Sequence, residues 1–364
     1  MNKKLFFVIN NMQRGGAERV LCILANEFDA QGFNVSIVCL NKAEPEYEIS
    51  PRIKLINLLG ARSKEHIFNR IKYATLIYFR LKKLLRKEKP NCVLSFMTTA
   101  NLWTGLACIS TRIPFIISEH TTPNHTVNSF NYFLRKLTFI IYRQSKAVVV
   151  VSQGIADCIK ENKSFKKLNN FKTIRNPINV FQILTKEKVH RRKFIIAVGR
   201  LNYVKGFDLL IDAFSNINSE DVDLLIVGGG AEYQNLDKQI KALGIANRVI
   251  LVGSKDNLQD YYSQAQLLVL SSRNEGYPNV LIEAMSFGCP CIAMDCEFGP
   301  SEIITDKING ILVEPNNYKK LVSEIDYLLT NHSLRNIIST NSKLINQTNS
   351  VANITSKWEQ LIYS

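Results

Sequence analysis

Short, continuous apolar runs recur along the chain, each followed by a longer stretch in which apolar residues return every three or four positions. Runs that stay apolar on successive residues read as strands buried on both faces of a parallel sheet, and the longer period reads as amphipathic helix. The first run, 4–10, leads through a turn at 11–16 into a helix at 17–30 with Val20, Leu21, Leu24 and Phe28 on one side. Further strands are predicted at 33–40, 53–58, 92–96, 114–119, 147–152 and near 171–174. Residues 182–192 are polar and basic, and the interdomain linker is placed there. The alternation then restarts, with strands at 194–198, 223–227, 249–252, 267–270, 290–294 and 311–313 and helices at 207–216, 232–243, 258–265 and 318–329. Strands alternating with helices over short connections predict an α/β fold with doubly wound parallel sheets. Two such halves, 1–185 and 186–345, predict two Rossmann-like domains facing a cleft. In the tail, 346–364, Val351, Ile354, Trp358, Leu361 and Ile362 stand at helical spacing and predict one more helix, which by pattern alone closes the second domain.

A chain of 364 residues with 46% hydrophobic content supports two cores. It holds no apolar run of about 18 residues, and its start leads into a strand rather than a signal-peptide core, so a cytoplasmic protein is expected. Among eight cysteines only Cys289 and Cys291 are close, with no histidine in ligand spacing; buried reduced thiols are expected rather than a zinc or redox site. Charge is uneven. Residues 1–190 carry 30 Lys and Arg against 12 Asp and Glu, whereas 191–364 carry 16 against 19. Such a basic half suits a polyanionic surface. Its densest run, 62–89, has ten basic residues and two acidic, with Ile67, Phe68, Ile71, Ala74, Leu81, Leu84 and Leu85 on much of one helical face. Arg135 and Lys136 stand beside Leu137, Phe139 and Ile140 in the same manner. Helices of that kind lie in the headgroup layer of an anionic membrane. Nucleic acid ranks below the membrane because no helix-turn-helix, zinc-finger or aromatic RNA-binding signature accompanies the charge.

The densest candidate chemistry lies at 271–288, a loop that becomes a helix. Gly276 and Pro278 shape a turn around Tyr277, Asn279 is predicted to cap a helix reaching about Phe287, and Gly288 stops it. Glu275 and Glu283 flank the turn beyond the carboxyl end of a strand, where open α/β sheets bind ligands. The first N–H groups of that helix, from Asn279 and Val280 onward, suit an anion. Arg200 and Lys205 follow the first strand of the second half and supply a planar fork and a compact charge for phosphate. Glu119-His120 ends another strand. Gly15-Gly16 lacks the spacing of a dinucleotide fingerprint but permits close backbone approach to a ligand. Asp221-Val222-Asp223 falls at the amino end of its strand and is read as a loop. Gly253, and the Gly-Pro-Ser-Glu segment at 299–302, are weaker contacts. No serine-hydrolase or cysteine-protease signature is present.

Taken in order, Gly-Gly-Ala-Glu-Arg at 15–19, Glu119-His120, Gly199-Arg200-Leu201 with Lys205-Gly206, the Glu-x7-Glu pair and Gly-Pro-Ser-Glu resemble the motifs of retaining GT-B glycosyltransferases of family 4, also called group 1. The resemblance implies a GT-B fold whose last helix crosses back to the first domain. It implies that Glu275 binds donor-sugar hydroxyls, that Glu283 holds the ribose, and that His120 lies beside the sugar without serving as a general base. Arg200 and Lys205 would neutralise the leaving nucleoside diphosphate, so that no metal or other cofactor is needed. Glu275, His120, Arg200 and Lys205 form the implied catalytic set; Gly16, Gly253, Tyr277, Asn279, Val280 and Glu283 complete the implied donor site. Ser-Phe-Met-Thr-Thr-Ala-Asn at 95–101 and Ile-Ser-Glu-His-Thr at 117–121 look like enzymes extending undecaprenyl-diphosphate-linked saccharides, commonly with N-acetylhexosamine (GalNAc or GlcNAc) from a UDP donor, in O-antigen, capsule or glycoprotein-glycan assembly. The implied location is peripheral, on the inner face of the cytoplasmic membrane. Two other readings stay open: a nucleotide-sugar epimerase of the same architecture, and a non-catalytic basic membrane-binding protein.

Overall fold

The apolar runs become strands, buried at the centre of each sheet and more open at the edge strands, and they gather into two separate all-parallel sheets. The computed structural model describes residues 3–13, 15–42, 44–60, 67–178, 183–185 and 187–364, without the side chains of 67–71. The chain divides into two units, Met1–Pro177 with Asn349–Ser364, and Ile178–Thr348. In the first unit the elements run β1 (Lys4–Ile9), α1 (Gly16–Ala30), β2 (Asn34–Cys39), β3 (Lys54–Asn57), α2 (Ile67–Glu88), β4 (Cys92–Phe96), α3 (Thr98–Thr111), β5 (Phe115–Glu119), α4 (Tyr132–Gln144), β6 (Val148–Val150), α5 (Gln153–Glu161) and β7 (Phe171–Thr173). The strand order is β3-β2-β1-β4-β5-β6-β7. Of the expected basic run at 62–89, Arg62 and Lys64 lie outside the described residues, as do the side chains of Ile67, Phe68 and Ile71.

The second unit runs β8 (Lys193–Val198), α6 (Phe207–Phe214), β9 (Val222–Val227), α7 (Tyr233–Ala242), β10 (Val249–Gly253), α8 (Leu258–Gln264), β11 (Leu267–Leu270), α9 (Asn279–Ser286), β12 (Cys291–Met294), α10 (Pro300–Ile303), β13 (Ile311–Val313), α11 (Tyr318–Thr330), α12 (His332–Ser342) and α13 (Ile345–Thr348). Its sheet has the order β10-β9-β8-β11-β12-β13. Within the expected linker, Gln182 and Lys186 lie outside the described residues. The strand expected at 223–227 starts one residue earlier, at Val222, so the loop reading of 221–223 holds only for Asp221, and Asp223 is a buried strand residue. A carboxylate is tolerated there because His190 and Arg192 meet it at 2.7 and 3.1 Å.

The last helix, α14 (Val351–Tyr363), is part of the first unit. Ile354, Trp358 and Ile362 join the core built by β1, β2, β4 and α1, and Trp358 stacks on Phe96 at 5.6 Å. The Lys146 ammonium donates to the Ile362 carbonyl at 2.8 Å, a favourable place for a cation at a helix C-terminus. Among the described residues no helix is long and apolar enough to cross a membrane.

Candidate functional site

In the second sheet the strand order reverses between β8 and β11: the chain leaves β8 toward β9 on one side and β11 toward β12 on the other. Loops that part at such a switch point open a crevice beyond the carboxyl ends of the strands. The two loops here carry Arg200 and Lys205, after β8, and Glu275, after β11. Local chemistry holds them together. The Asn202 side chain accepts from the backbone N–H of Lys205 and caps the short turn Tyr203–Lys205. Gly206 then takes φ 64°, where any Cβ would sit 2.2 Å from the Ser271 carbonyl oxygen, so only glycine lets the loops touch. The lysine stem passes over Gly199, and Lys205 Nζ reaches Glu275 Oε1 at 2.6 Å. The Ser272 hydroxyl donates to the same oxygen at 2.6 Å. The lysine side chain is 23% exposed and the glutamate 10%, so the pair is sheltered yet open to an arriving ligand. An ammonium has three donors; one on Glu275 leaves the cation able to meet phosphate. Arg200 stands exposed on the same loop.

The helix after the turn differs in one respect from expectation. Pro278 occupies the cap position, with φ −73°, and Asn279 is the first helical residue. Proline suits the entrance because its fixed φ leads into the helix and it has no N–H to satisfy, while its carbonyl accepts from the Leu281 N–H at 3.1 Å. Tyr277 is buried in the turn, and Gly299, at φ 89°, fits directly against Gly276 and Pro278. The Gly-Pro-Ser-Glu segment therefore backs the turn. Glu283 is buried one turn into α9, where the Tyr262 hydroxyl donates to its Oε2 at 3.3 Å. Val280 is half-buried beside it, Gly288 ends the helix region at φ 75°, and Gly253 closes β10 at φ 78°.

The first unit supplies the other two expected positions. Gly16 is the exposed first residue of α1, beyond β1. His120 leaves the carboxyl end of β5, with its Nε2 2.9 Å from the Ser118 hydroxyl and its ring stacked on Phe96 at 5.4 Å. Its neighbour Glu119 turns inward instead, accepting from Thr98 at 2.7 Å, Asn101 at 2.8 Å and the Tyr142 hydroxyl. Burial pushes that carboxyl up in spite of the three donors.

Burial lowers the His120 pKa to about 4, so the imidazole is neutral near pH 7 and offers one donor and one acceptor. The unfolded chain takes up this proton near pH 6.5 and the folded protein near 4, so between those values unfolding binds the proton. Stability therefore falls as pH falls through that window. His120→Gln should remove about 2 kcal/mol of the stability lost between roughly pH 7 and pH 5. Urea melts of both proteins at the two pH values measure it; equal losses would contradict the assignment.

Ser272 and Tyr262 hold the two glutamates without any sequence signal of their own. The eight cysteines are all free and buried, and burial pushes Cys22, Cys39, Cys289 and Cys296 up to about 12. Among the described residues no three His, Cys, Asp or Glu gather as metal ligands.

Comparison with known proteins follows the two-part architecture. Residues 14–180 match the family model described as Glycosyltransferase Family 4, and 181–344 match that of Glycosyl transferases group 1. An uncharacterized glycosyltransferase of Haemophilus influenzae is 29% identical over the full length of both chains. The Campylobacter jejuni GalNAc-alpha-(1->4)-GalNAc-alpha-(1->3)-diNAcBac-PP-undecaprenol alpha-1,4-N-acetyl-D-galactosaminyltransferase is 27% identical, covering 99% of this chain and 98% of its own. Among solved structures, Anabaena HepE in complex with UDP superposes with a TM-score of 0.81 at 19% identity over 99% of each chain.

Proposed function

The chain belongs to the family 4, group 1 glycosyltransferases, and from that premise we propose that it moves a sugar from a nucleotide donor to a polyprenyl-diphosphate-linked saccharide with retention of configuration. Its paired doubly wound sheets are the GT-B architecture. One observation carries the reading: at the switch point of the second sheet a lysine and a glutamate from the β8 and β11 loops meet at 2.6 Å. There the lysine can take the donor's diphosphate and the glutamate the sugar hydroxyls.

In this mechanism the acceptor hydroxyl attacks the anomeric carbon on the face from which the diphosphate departs. The C–O bond to phosphate breaks, and a phosphate oxygen takes the hydroxyl proton, so no side-chain base is required. Lys205, Arg200 and the first turn of α9, at Asn279 and Val280, stabilise the charge on the leaving group without a metal. Glu275 orients the sugar beside Tyr277, Glu283 holds the ribose and Gly253 borders the nucleobase. In the first unit the family resemblance assigns neutral His120 to the sugar and Gly16 to the diphosphate. UDP as the nucleotide accords with the HepE complex, and N-acetylgalactosamine with an undecaprenyl-linked acceptor accords with the Campylobacter relative's name. The basic first half would rest on an anionic membrane at its cytoplasmic face, with α4 offering exposed Tyr132, Phe133 and Ile140 beside Lys136 and Arg143.

Release of nucleoside diphosphate from a panel of nucleotide sugars, with and without undecaprenyl-diphosphate-linked acceptors and in the presence of a chelator, tests this. Release is expected with one donor, only when the lipid acceptor is present, and undiminished by the chelator. Conversion of the donor without lipid would favour an epimerase. Vesicle binding without consumption of any donor would favour the non-catalytic alternative.

A further inference from the structure

Lys205 and Glu275 stand on different loops, and the ladder between β8 and β11 pairs only Ile195 with Leu267 and Ile196 with Leu268. Something beyond the sheet must therefore set their distance. We propose that Arg273 is the positioning residue of the donor site, clamping the loop of Glu275 onto the turn of Lys205. This rests on the reading of Lys205 as the cation that meets the donor diphosphate.

The contacts of Arg273 converge on that turn and the helix behind it. Its guanidinium grips Asp208, in the first turn of α6, through both nitrogens at 2.8 and 2.6 Å. One nitrogen also donates to the Tyr203 carbonyl at 2.6 Å, and the guanidinium lies 3.9 Å from the centre of the Tyr203 ring. The backbone N–H of Arg273 donates to the Val204 carbonyl at 2.8 Å. Two residues upstream, the Ser271 hydroxyl donates to the Lys205 carbonyl at 3.1 Å. Tyr203, Val204 and Lys205 are thus each held from the β11 loop, two to four residues ahead of Glu275. A planar fork on a carboxylate fixes orientation as well as distance, which an ammonium does not.

Global stability is a poor reason for this arrangement. The Arg273 side chain is 20% exposed and that of Asp208 39%, and ion pairs in contact with water add little to folding. Burial would raise the Asp208 carboxyl, but the hydrogen bonds and charge of Arg273 outweigh it and hold the group low, so the clamp stays ionised around neutral pH. What the clamp does fix is the place of two side chains that must meet a ligand together. Misplacing reacting groups by about 1 Å costs on the order of a hundredfold in rate.

The experiment compares Arg273→Ala, Arg273→Lys, Asp208→Asn and, as a control on the site itself, Lys205→Ala in the intact protein with donor and lipid acceptor. Steady-state kcat and donor KM, calorimetric UDP affinity and the thermal midpoint are measured for each. Arg273→Ala should lower kcat about a hundredfold while the thermal midpoint stays within about 3 °C of wild type. Arg273→Lys should remain impaired because it keeps the charge and loses the fork. Millimolar guanidinium ion should restore part of kcat in Arg273→Ala and none in Lys205→Ala. Unchanged kcat in Arg273→Ala, or a loss matched by collapse of the thermal midpoint in all three clamp variants, would overturn the positioning role. Normal turnover in Lys205→Ala would instead overturn the reading of the site, whatever the clamp variants do.

Discussion

Replacing Lys205 with alanine should abolish turnover while leaving the fold in place. The lysine is part-exposed and anchors no core cluster, so its removal costs little packing. Glu275 loses its cation but keeps the Ser272 hydroxyl, which limits the destabilisation to about 1–2 kcal/mol. The rate is another matter. A preorganised charge aimed at a leaving group is worth on the order of a hundred- to a thousandfold when removed, and Lys205 is held for that task by its 2.6 Å contact with Glu275. Lys205→Arg should recover only part of the activity, since a planar guanidinium does not fit where a compact ammonium stood. Nucleoside diphosphate release, with a thermal melt as control, measures both variants. Near-wild-type turnover in Lys205→Ala would remove the diphosphate assignment.

Trp358→Ala should produce the largest loss of stability, about 3–5 kcal/mol. The indole is 2% exposed and lies within the core of the first unit. One face stacks against Phe96, which in turn stacks on both Phe7 and His120. The cavity would open directly behind the residue on which the His120 ring rests. Urea denaturation followed by fluorescence of the remaining tryptophan, Trp103, should show the first unit melting at lower denaturant. A transition unchanged from wild type would mean that α14 is dispensable to that core.

The alternation of strand and helix was legible because strands buried on both faces are continuous apolar runs, and such runs stand out without any partner being known. Ends were harder to read. Val222 looked like loop and Asp223 read both as loop and as strand start, because an acidic residue interrupts the apolar run and nothing local reveals that His190 will meet it. Asn279 is a good capping residue by type, yet Pro278 holds the position, since a helix entrance is set by backbone geometry as much as by a side-chain acceptor. Helix α3 hid because its buried face carries Asn101 and Thr104, whose partners come from β4 and β5. Among the candidate site residues, Lys205, Glu275 and Glu283 stand out in the sequence by their spacing around glycine and proline. Arg273 does not: a single arginine in a polar loop has no period, and its meaning lies in Asp208, far away in sequence and adjacent only after folding.

The return of α14 to the first unit also has a consequence for the order in which the protein can be made. Chains emerge from the ribosome from the N-terminus, and domains commonly fold as they appear. Here the unit that appears first lacks Trp358 until the whole of the second unit has been synthesised, so its core closes after the second unit is already available to fold. Nascent chains stalled before Val351 should hold a first unit that remains open to proteolysis beside a second unit that resists it.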